Sequence, residues 1–142
     1  MSSSHPCRIA IVLNSGLPPG LAANAAAVLA TSVGRAHPEV VGPDVADASG
    51  CVHPGITTIP FPILQADGER LKHLAALARE AGLGVWTFTD VAQESHTYDD
   101  YTCRMGATSP PSLTYLGLSL FGDLPRVRRL TGELGLYNCC QR

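Results

Sequence analysis

Two kinds of apolar pattern alternate along the chain. Arg8-Ile9-Ala10-Ile11-Val12-Leu13 is a short, unbroken apolar run rich in β-branched residues. A run of that length without alternation predicts a first strand buried on both faces. Residues 14–20 follow as a loop built around Pro18-Pro19-Gly20. Over residues 21–33 the period changes to three and four, so Leu21, Ala25, Val28, Leu29 and Ser32 share one helical face. The many alanines here let this helix lie close on a sheet, and Gly34 is placed to end it. Val40-Val41 and Val45-Ala46 read as strand pieces broken by Gly42-Pro43, and Asp47-Ala48-Ser49-Gly50 as a tight turn. Residues 56–63 interleave Pro60 and Pro62 with apolar residues, which predicts an edge strand. Asp67 is the expected N-cap of a helix over 68–81, with Leu71, Leu74, Ala75 and Ala78 as its buried stripe and Gly82 as its stop.

The second half continues the alternation. Residues 85–89 (Val-Trp-Thr-Phe-Thr) predict a central strand and 90–96 a loop. A short helix follows over 98–107, then a long strand over 115–121. Gly122-Asp123 caps a last helix over 124–130, and Leu134-Gly135-Leu136 adds an edge strand. No internal repeat and no long linker divides the chain. The order predicts one α/β domain over 7–137, a three-layer α/β sandwich with a mixed sheet. Residues 1–6 read as a disordered leader and 138–142 as a flexible tail.

Composition narrows the function classes. Charged residues make up 15% of the 142, against about a quarter in an ordinary domain. Of ten basic residues only Lys72 is a lysine. A net charge of −2 gives no bulk attraction to nucleic acid, which is not expected as a partner. Residues 9–33 carry no charge, yet Asn14, Ser15, Gly16, Pro18, Pro19, Gly20 and Asn24 interrupt them. No run approaches the ~18 apolar residues of a membrane span. Five cysteines at irregular spacing argue against a disulfide framework and form no Cys-x-x-Cys zinc pattern. No metal or cofactor is expected. Cys139 and Cys140 read as tail residues, and a reducing cytoplasm fits the thiols.

Two places can carry chemistry. The turn before the first helix presents unpaired backbone N–H groups, a geometry that holds anions. It lacks the Gly-x-Gly-x-x-Gly and Gly-Lys-Ser/Thr signatures of nucleotide loops. Asn24 stands out among the alanines, as a ligand contact or as a loop anchor. Asp90, Gln93, Glu94 and His96 follow a strand end, where ligands sit in open α/β sheets. A carboxylate, an amide and an imidazole there suit acid–base work, although Asp90 can equally cap its own turn. His37-Pro38 and His53-Pro54 read as surface turns. Arg126, Arg128 and Arg129 suit either phosphate contact or a helix dipole.

Several stretches together resemble an uncharacterised bacterial family known only as a domain of unknown function, number two thousand in its series. They are Leu17-Pro18-Pro19-Gly20-Leu21-Ala22-Ala23-Asn24-Ala25-Ala26, His37-Pro38-Glu39-Val40-Val41-Gly42-Pro43-Asp44, His53-Pro54-Gly55-Ile56-Thr57, Phe88-Thr89-Asp90-Val91-Ala92-Gln93 and Arg129-Leu130-Thr131-Gly132. The resemblance implies a fold similar to type II peptidyl-tRNA hydrolase and no established activity. Those hydrolases carry Gly-Lys-x-Ala-Ala-Gln-x-x-His-Ala on the first loop and helix. Aligned on Ala22-Ala23-Asn24, that motif meets Gly20 where the lysine stands and Ala27 where the histidine stands. Asn24 keeps an amide, and Asp90 keeps the aspartate of the Asp-Ala-Gly-Thr segment. Thr131-Gly132 matches the terminal Val-Thr-Gly pattern.

The leading expectation is therefore a scaffold without the parent hydrolase chemistry. It binds a small ligand or a protein partner near Gly20, Asn24, Asp90 and Gln93. One alternative is a hydrolase acting on an ester such as peptidyl-tRNA, with Asp90 as base or water-positioner. Another is a non-catalytic module that forms a homodimer through its proline-rich edge strand.

Overall fold

A computed structural model describes residues 6–138. β1 (Cys7–Asn14) lies inside a four-stranded sheet with β4 (Ile63–Ala66), β5 (Gly84–Thr89) and β6 (Tyr115–Asp123), in the order β4-β1-β6-β5. β1 pairs with β4 in parallel and with β6 antiparallel, and β6 pairs antiparallel with β5, so the sheet is mixed. The unbroken apolar run of β1 has a direct cause in this arrangement. Ile9, Ile11 and Leu13 point into one core, and Ala10 and Val12 into another.

Helix α1 (Pro19–Ala36) covers the first face with Ala22, Ala25, Leu29 and Val33. Helices α2 (Gly68–Glu80) and α5 (Leu124–Thr131) cover the second through Leu71, Leu74, Ala75, Ala78 and Val127. The result is the expected three-layer α/β sandwich. Asp67 caps α2 by accepting from the Arg70 amide at 2.8 Å, and Asp123 caps α5 through the Arg126 amide. Thr89 pairs with Tyr115 whereas Phe88 pairs with Gly117, so Leu116 is a bulge residue on β6. Beyond it, Gly117 faces α1, where a Cβ would meet Leu13 Cδ2 at 2.9 Å and Leu29 Cδ1 at 3.0 Å. The missing side chain lets the helix approach the sheet.

Several boundaries differ from expectation. α1 runs through Gly34 to Ala36, and its buried face is rotated from the one predicted. Val28 is 40% exposed, while Ala22 and Val33 are buried. Residues 56–62 form no strand beyond a bridge of Thr57 to Val41. β4 starts at Ile63, because Pro60 and Pro62 can donate no ladder hydrogen bond. β5 is an edge strand, not a central one. Residues 90–94 are a short helix, α3 (Asp90–Glu94), and α4 (Tyr98–Gly106) follows it.

The expected strand at 134–136 is a single antiparallel bridge, Leu64 to Leu136. The Gln65 amide donates to Gly135 and the Tyr137 amide to Ile63, so this segment occupies the outer edge of β4. That is the edge through which the oligomeric reading would pair two copies. β2 (Val45–Ala46) and β3 (Val52–His53) form a small separate hairpin around the predicted turn. Among the described residues no helix is long and apolar enough to cross a membrane. The proposed leader and tail lie outside the described residues except for Pro6 and Asn138. The Pro6 carbonyl accepts from the Leu124 amide at 2.9 Å, and the Asn138 amide donates to Gln65 Oε1 at 3.3 Å.

Candidate functional site

The four residues singled out from sequence do not converge on one cavity. Gly20 is exposed in the first turn of α1, whose N-cap, Pro18, offers no side-chain bond. Asn24 is exposed; at 100° per residue it falls on the outer face of α1 with Thr31 and Arg35. Gln93 is exposed on α3. Asp90 is half-buried and tied to backbone. Its Oδ1 accepts from the amides of Val91 (2.9 Å) and Thr114 (3.1 Å), and its own amide donates to the Thr114 carbonyl (3.0 Å). The carboxylate thus clamps the start of α3 to the chain entering β6. That is the turn-capping role weighed from sequence, and it leaves one oxygen outside these two bonds.

Two cavities of similar size lie on either side of α1. On one flank a cleft of about 400 Å³ opens between Val28 and Ser32 of α1, Thr87 and Phe88 of β5, and the α3–α4 segment. That segment contributes Ser95, His96 and Thr97 from the turn and Tyr98 and Tyr101 from α4. The local sequence explains the turn. Thr97 caps α4 by accepting from the Asp100 amide (3.0 Å), and Asp100 in turn accepts from the His96 amide (3.3 Å) and Arg104 Nε (3.2 Å). Ser95 Oγ donates to Val91 O (2.6 Å) and Ser32 Oγ to Val28 O (3.2 Å), so both hydroxyls are engaged with backbone. The Tyr98 and Tyr101 rings meet edge to face at 5.5 Å, and Tyr98 is 79% exposed at the rim. Among the described residues, no hydroxyl or thiol is hydrogen-bonded to the His96 ring. The cleft can donate and accept hydrogen bonds and stack a flat ligand.

On the other flank lies a groove of about 400 Å³, almost wholly apolar. Ala26, Ala27, Ala30 and Gly34 form its helical wall, opposite Val40, Val41, Phe61 and Ile63. The alanines read from sequence as close-packing residues therefore also leave a trough where α1 overhangs the sheet edge.

A family model described as "Protein of unknown function (DUF2000)" matches residues 7–138. The chain belongs to the DUF2000 family. No curated protein matches it. Among solved structures, the DUF2000 chain is similar to a protein of unknown function, Atu0240, from Agrobacterium tumefaciens strain C58. The two are 19% identical over 92% of this chain and 97% of that one, with a TM-score of 0.83. At that identity the likeness shows the fold alone.

Other sequence candidates of this DUF2000 protein have structural roles. The Arg126 guanidinium bonds the Asp123 carboxylate and the Ala81 carbonyl, which ties α5 to the end of α2. His37 caps α1 and stacks on Phe121 with centroids 3.6 Å apart. The cleft residues Ser32, Thr87, Ser95, Thr97 and Tyr101 were missed. Their only sequence signal was the Ser95-His96-Thr97-Tyr98 stretch at a strand end, of which His96 alone was weighed.

Proposed function

We infer that this protein binds a small, flat, uncharged ligand in the cleft between α1 and the β5–α3–α4 segment. The observation that carries this reading is the meeting of an imidazole, several hydroxyls and two tyrosine rings around about 400 Å³. That is the size and mixture of a small-molecule site. The cleft follows β5 and flanks α1, and its lining does not include Gly20, Asn24, Asp90 or Gln93. A role as binding module rather than enzyme is supported by the engaged hydroxyls and by Asp90 acting as a clamp.

The same reading takes the scaffold to be that of type II peptidyl-tRNA hydrolase, on the strength of the motifs around Asn24, Asp90 and Thr131-Gly132. Gly20 and Ala27 in place of a lysine and a histidine support the loss of the parent chemistry. Exposed, unpaired Cys7, Cys51 and Cys103 support a reducing, cytoplasmic setting.

The test is a set of phenolic and heteroaromatic fragments followed by ¹H–¹⁵N spectra. Binders should shift the amides of residues 28–32 and 95–101 together. His96→Ala should weaken them by about 2–10-fold, the worth of one hydrogen bond. Shifts confined to the alanine groove, or no binder at all, would overturn the reading.

A further inference from the structure

The β2–β3 hairpin stands apart from both cores. Every residue from 43 to 54 is exposed, including Val45 at 63% and Val52 at 61%. A two-stranded hairpin without an apolar face is marginal on its own. Its root is fixed by backbone. The Gly42 amide donates to Ile56 O (2.9 Å) and the Gly55 amide to Asp44 Oδ1 (3.1 Å), and a Cβ on Gly55 would strike the Gly42 carbonyl. Its tip holds three polar side chains of different chemistry.

Register explains why they meet. Val45 pairs with His53 and Ala46 with Val52, and the Asp47 amide donates to Cys51 O at 2.9 Å. Cys51 and His53 are two residues apart, so they share one face. Asp47 lies across from Cys51 on that same face and diagonal to His53, within reach of long side chains. Gly50, at φ +85°, closes the turn. Asp47 Oδ1 accepts from the Ser49 amide (2.9 Å), Ser49 Oγ (2.6 Å) and the Cys51 amide (3.1 Å), which fixes the carboxylate. Its other oxygen, Oδ2, faces His53 Nε2 at 2.9 Å. One donor atom each from Asp47, Cys51 and His53 lies within 4.8 Å of the others.

We propose that Asp47, Cys51 and His53 form a binding site for a zinc-class divalent cation at the hairpin tip. Ligands of a tetrahedral zinc ion stand about 3.3–3.8 Å apart, given bonds of ~2.0–2.3 Å. The Asp47–His53 pair, at 2.9 Å, must open by a few tenths of an ångström to admit the ion, and no donor pair is separated by more than 4.8 Å. Thiolate and imidazole select zinc-class ions over magnesium or calcium. Three protein ligands leave the fourth position to water. On binding, the Cys51 thiol releases its proton to solvent. The neutral His53 ring, whose Nε2–H faces Asp47 Oδ2 before binding, gives that proton to solvent, takes one up on Nδ1 and turns Nε2 to the metal. One proton therefore leaves per ion at neutral pH. The cation would staple a hairpin that has no core of its own. This inference is independent of the cleft.

The test uses the full chain with Cys7, Cys103, Cys139 and Cys140 replaced by serine, so that Cys51 is the sole thiol. Zn²⁺ titrated by calorimetry should bind one per chain, and Co²⁺ should give a thiolate-to-metal absorption band. Cys51→Ser should abolish the band. His53→Ala should weaken Zn²⁺ by more than ~10-fold, the least that loss of a supporting group alone costs. His53→Cys should restore binding with a stronger thiolate band, which a merely structural histidine would not allow. Absence of binding, or a Zn²⁺ affinity in Cys51→Ser and His53→Ala equal to that of the parent, would overturn the proposal.

Discussion

Gly117 sets how closely α1 can approach the sheet, and Gly117→Ala measures that constraint. The added Cβ would lie 2.9 Å from Leu13 Cδ2, 3.0 Å from Leu29 Cδ1 and 3.2 Å from the Val12 carbonyl. Optimal carbon contacts are ~3.5–4.0 Å, so both leucines must retreat. Each is only 1% exposed, although Leu13 also lines a cavity with Ala22, Ala26 and Ile63. Overpacking of this kind costs about 1–3 kcal/mol. Alanine in a strand recovers about 0.5–1 kcal/mol of backbone entropy relative to glycine. The net expectation is a loss of about 1–2 kcal/mol. For a chain of this size that lowers Tm by about 2–8 °C, at ~2–4 °C per kcal/mol.

Urea unfolding should report the same loss through its midpoint, with an unchanged slope. The decisive measurement is the cycle with Leu29→Ala, which alone should cost about 2–5 kcal/mol. In the double variant the new methyl fills part of the vacated space. The two changes should then couple favourably by about 1 kcal/mol or more. Strict additivity, or a Gly117→Ala protein as stable as the parent, would refute the packing argument.

Two further outcomes bear on the site residues. If Asp90 is a clamp, Asp90→Ala should cost about 2 kcal/mol, the worth of charge-assisted bonds to two amides. Asp90→Asn, which keeps an acceptor oxygen, should cost clearly less in thermal unfolding; equal losses would contradict the clamp. The Asp47 carboxyl is drawn down to about 2 by the Ser49 hydroxyl, then by His53, then by the Ser49 and Cys51 amides. A depressed folded value means that the stabilisation is complete above the ordinary carboxylate range and disappears as pH falls through about 2. Amide shifts of Ser49 and Cys51 followed from pH 5 downward should therefore hold past 3.8, and a midpoint at 3.8 would show that the turn bonds are absent in solution.

What the sequence made legible was decided by contrast between neighbouring residues. β1 and α2 were readable because one is unbroken and the other carries leucines against charged residues at regular spacing. α1 was readable as a helix but not in its rotation. Where five of six neighbours are alanine, pattern cannot separate the face packed on the sheet from the face lining a groove. The prolines near β4 were seen, yet they precede the strand instead of occupying it, which only the pairing of Ile63 with Ile11 fixes. The proposed cleft shares segments, but no lining residue, with the four residues singled out from sequence. Asn24 drew attention as an amide among alanines and Asp90 as a carboxylate after a strand end, whereas the cleft is lined by small hydroxyls and tyrosines whose roles depend on helix caps. The trio at 47, 51 and 53 is invisible until hairpin register puts them on one face.

The position of β1 also bears on how the protein is made. Its register partners are Ile63 on one side and Phe121 on the other, the latter about 110 residues downstream. At translation rates of ~5–20 residues per second, β1 waits about 5–20 s for that second neighbour to be synthesised. During that interval the edge of β1 that pairs with β6 stays open, although α1 and β4 are already synthesised. Pairings of such sequence separation also close slowly once the chain is complete. Nascent chains should therefore depend on ribosome-associated chaperones in the window before β6 emerges, and the yield of soluble protein should respond to translation speed more than to the stability of the finished fold.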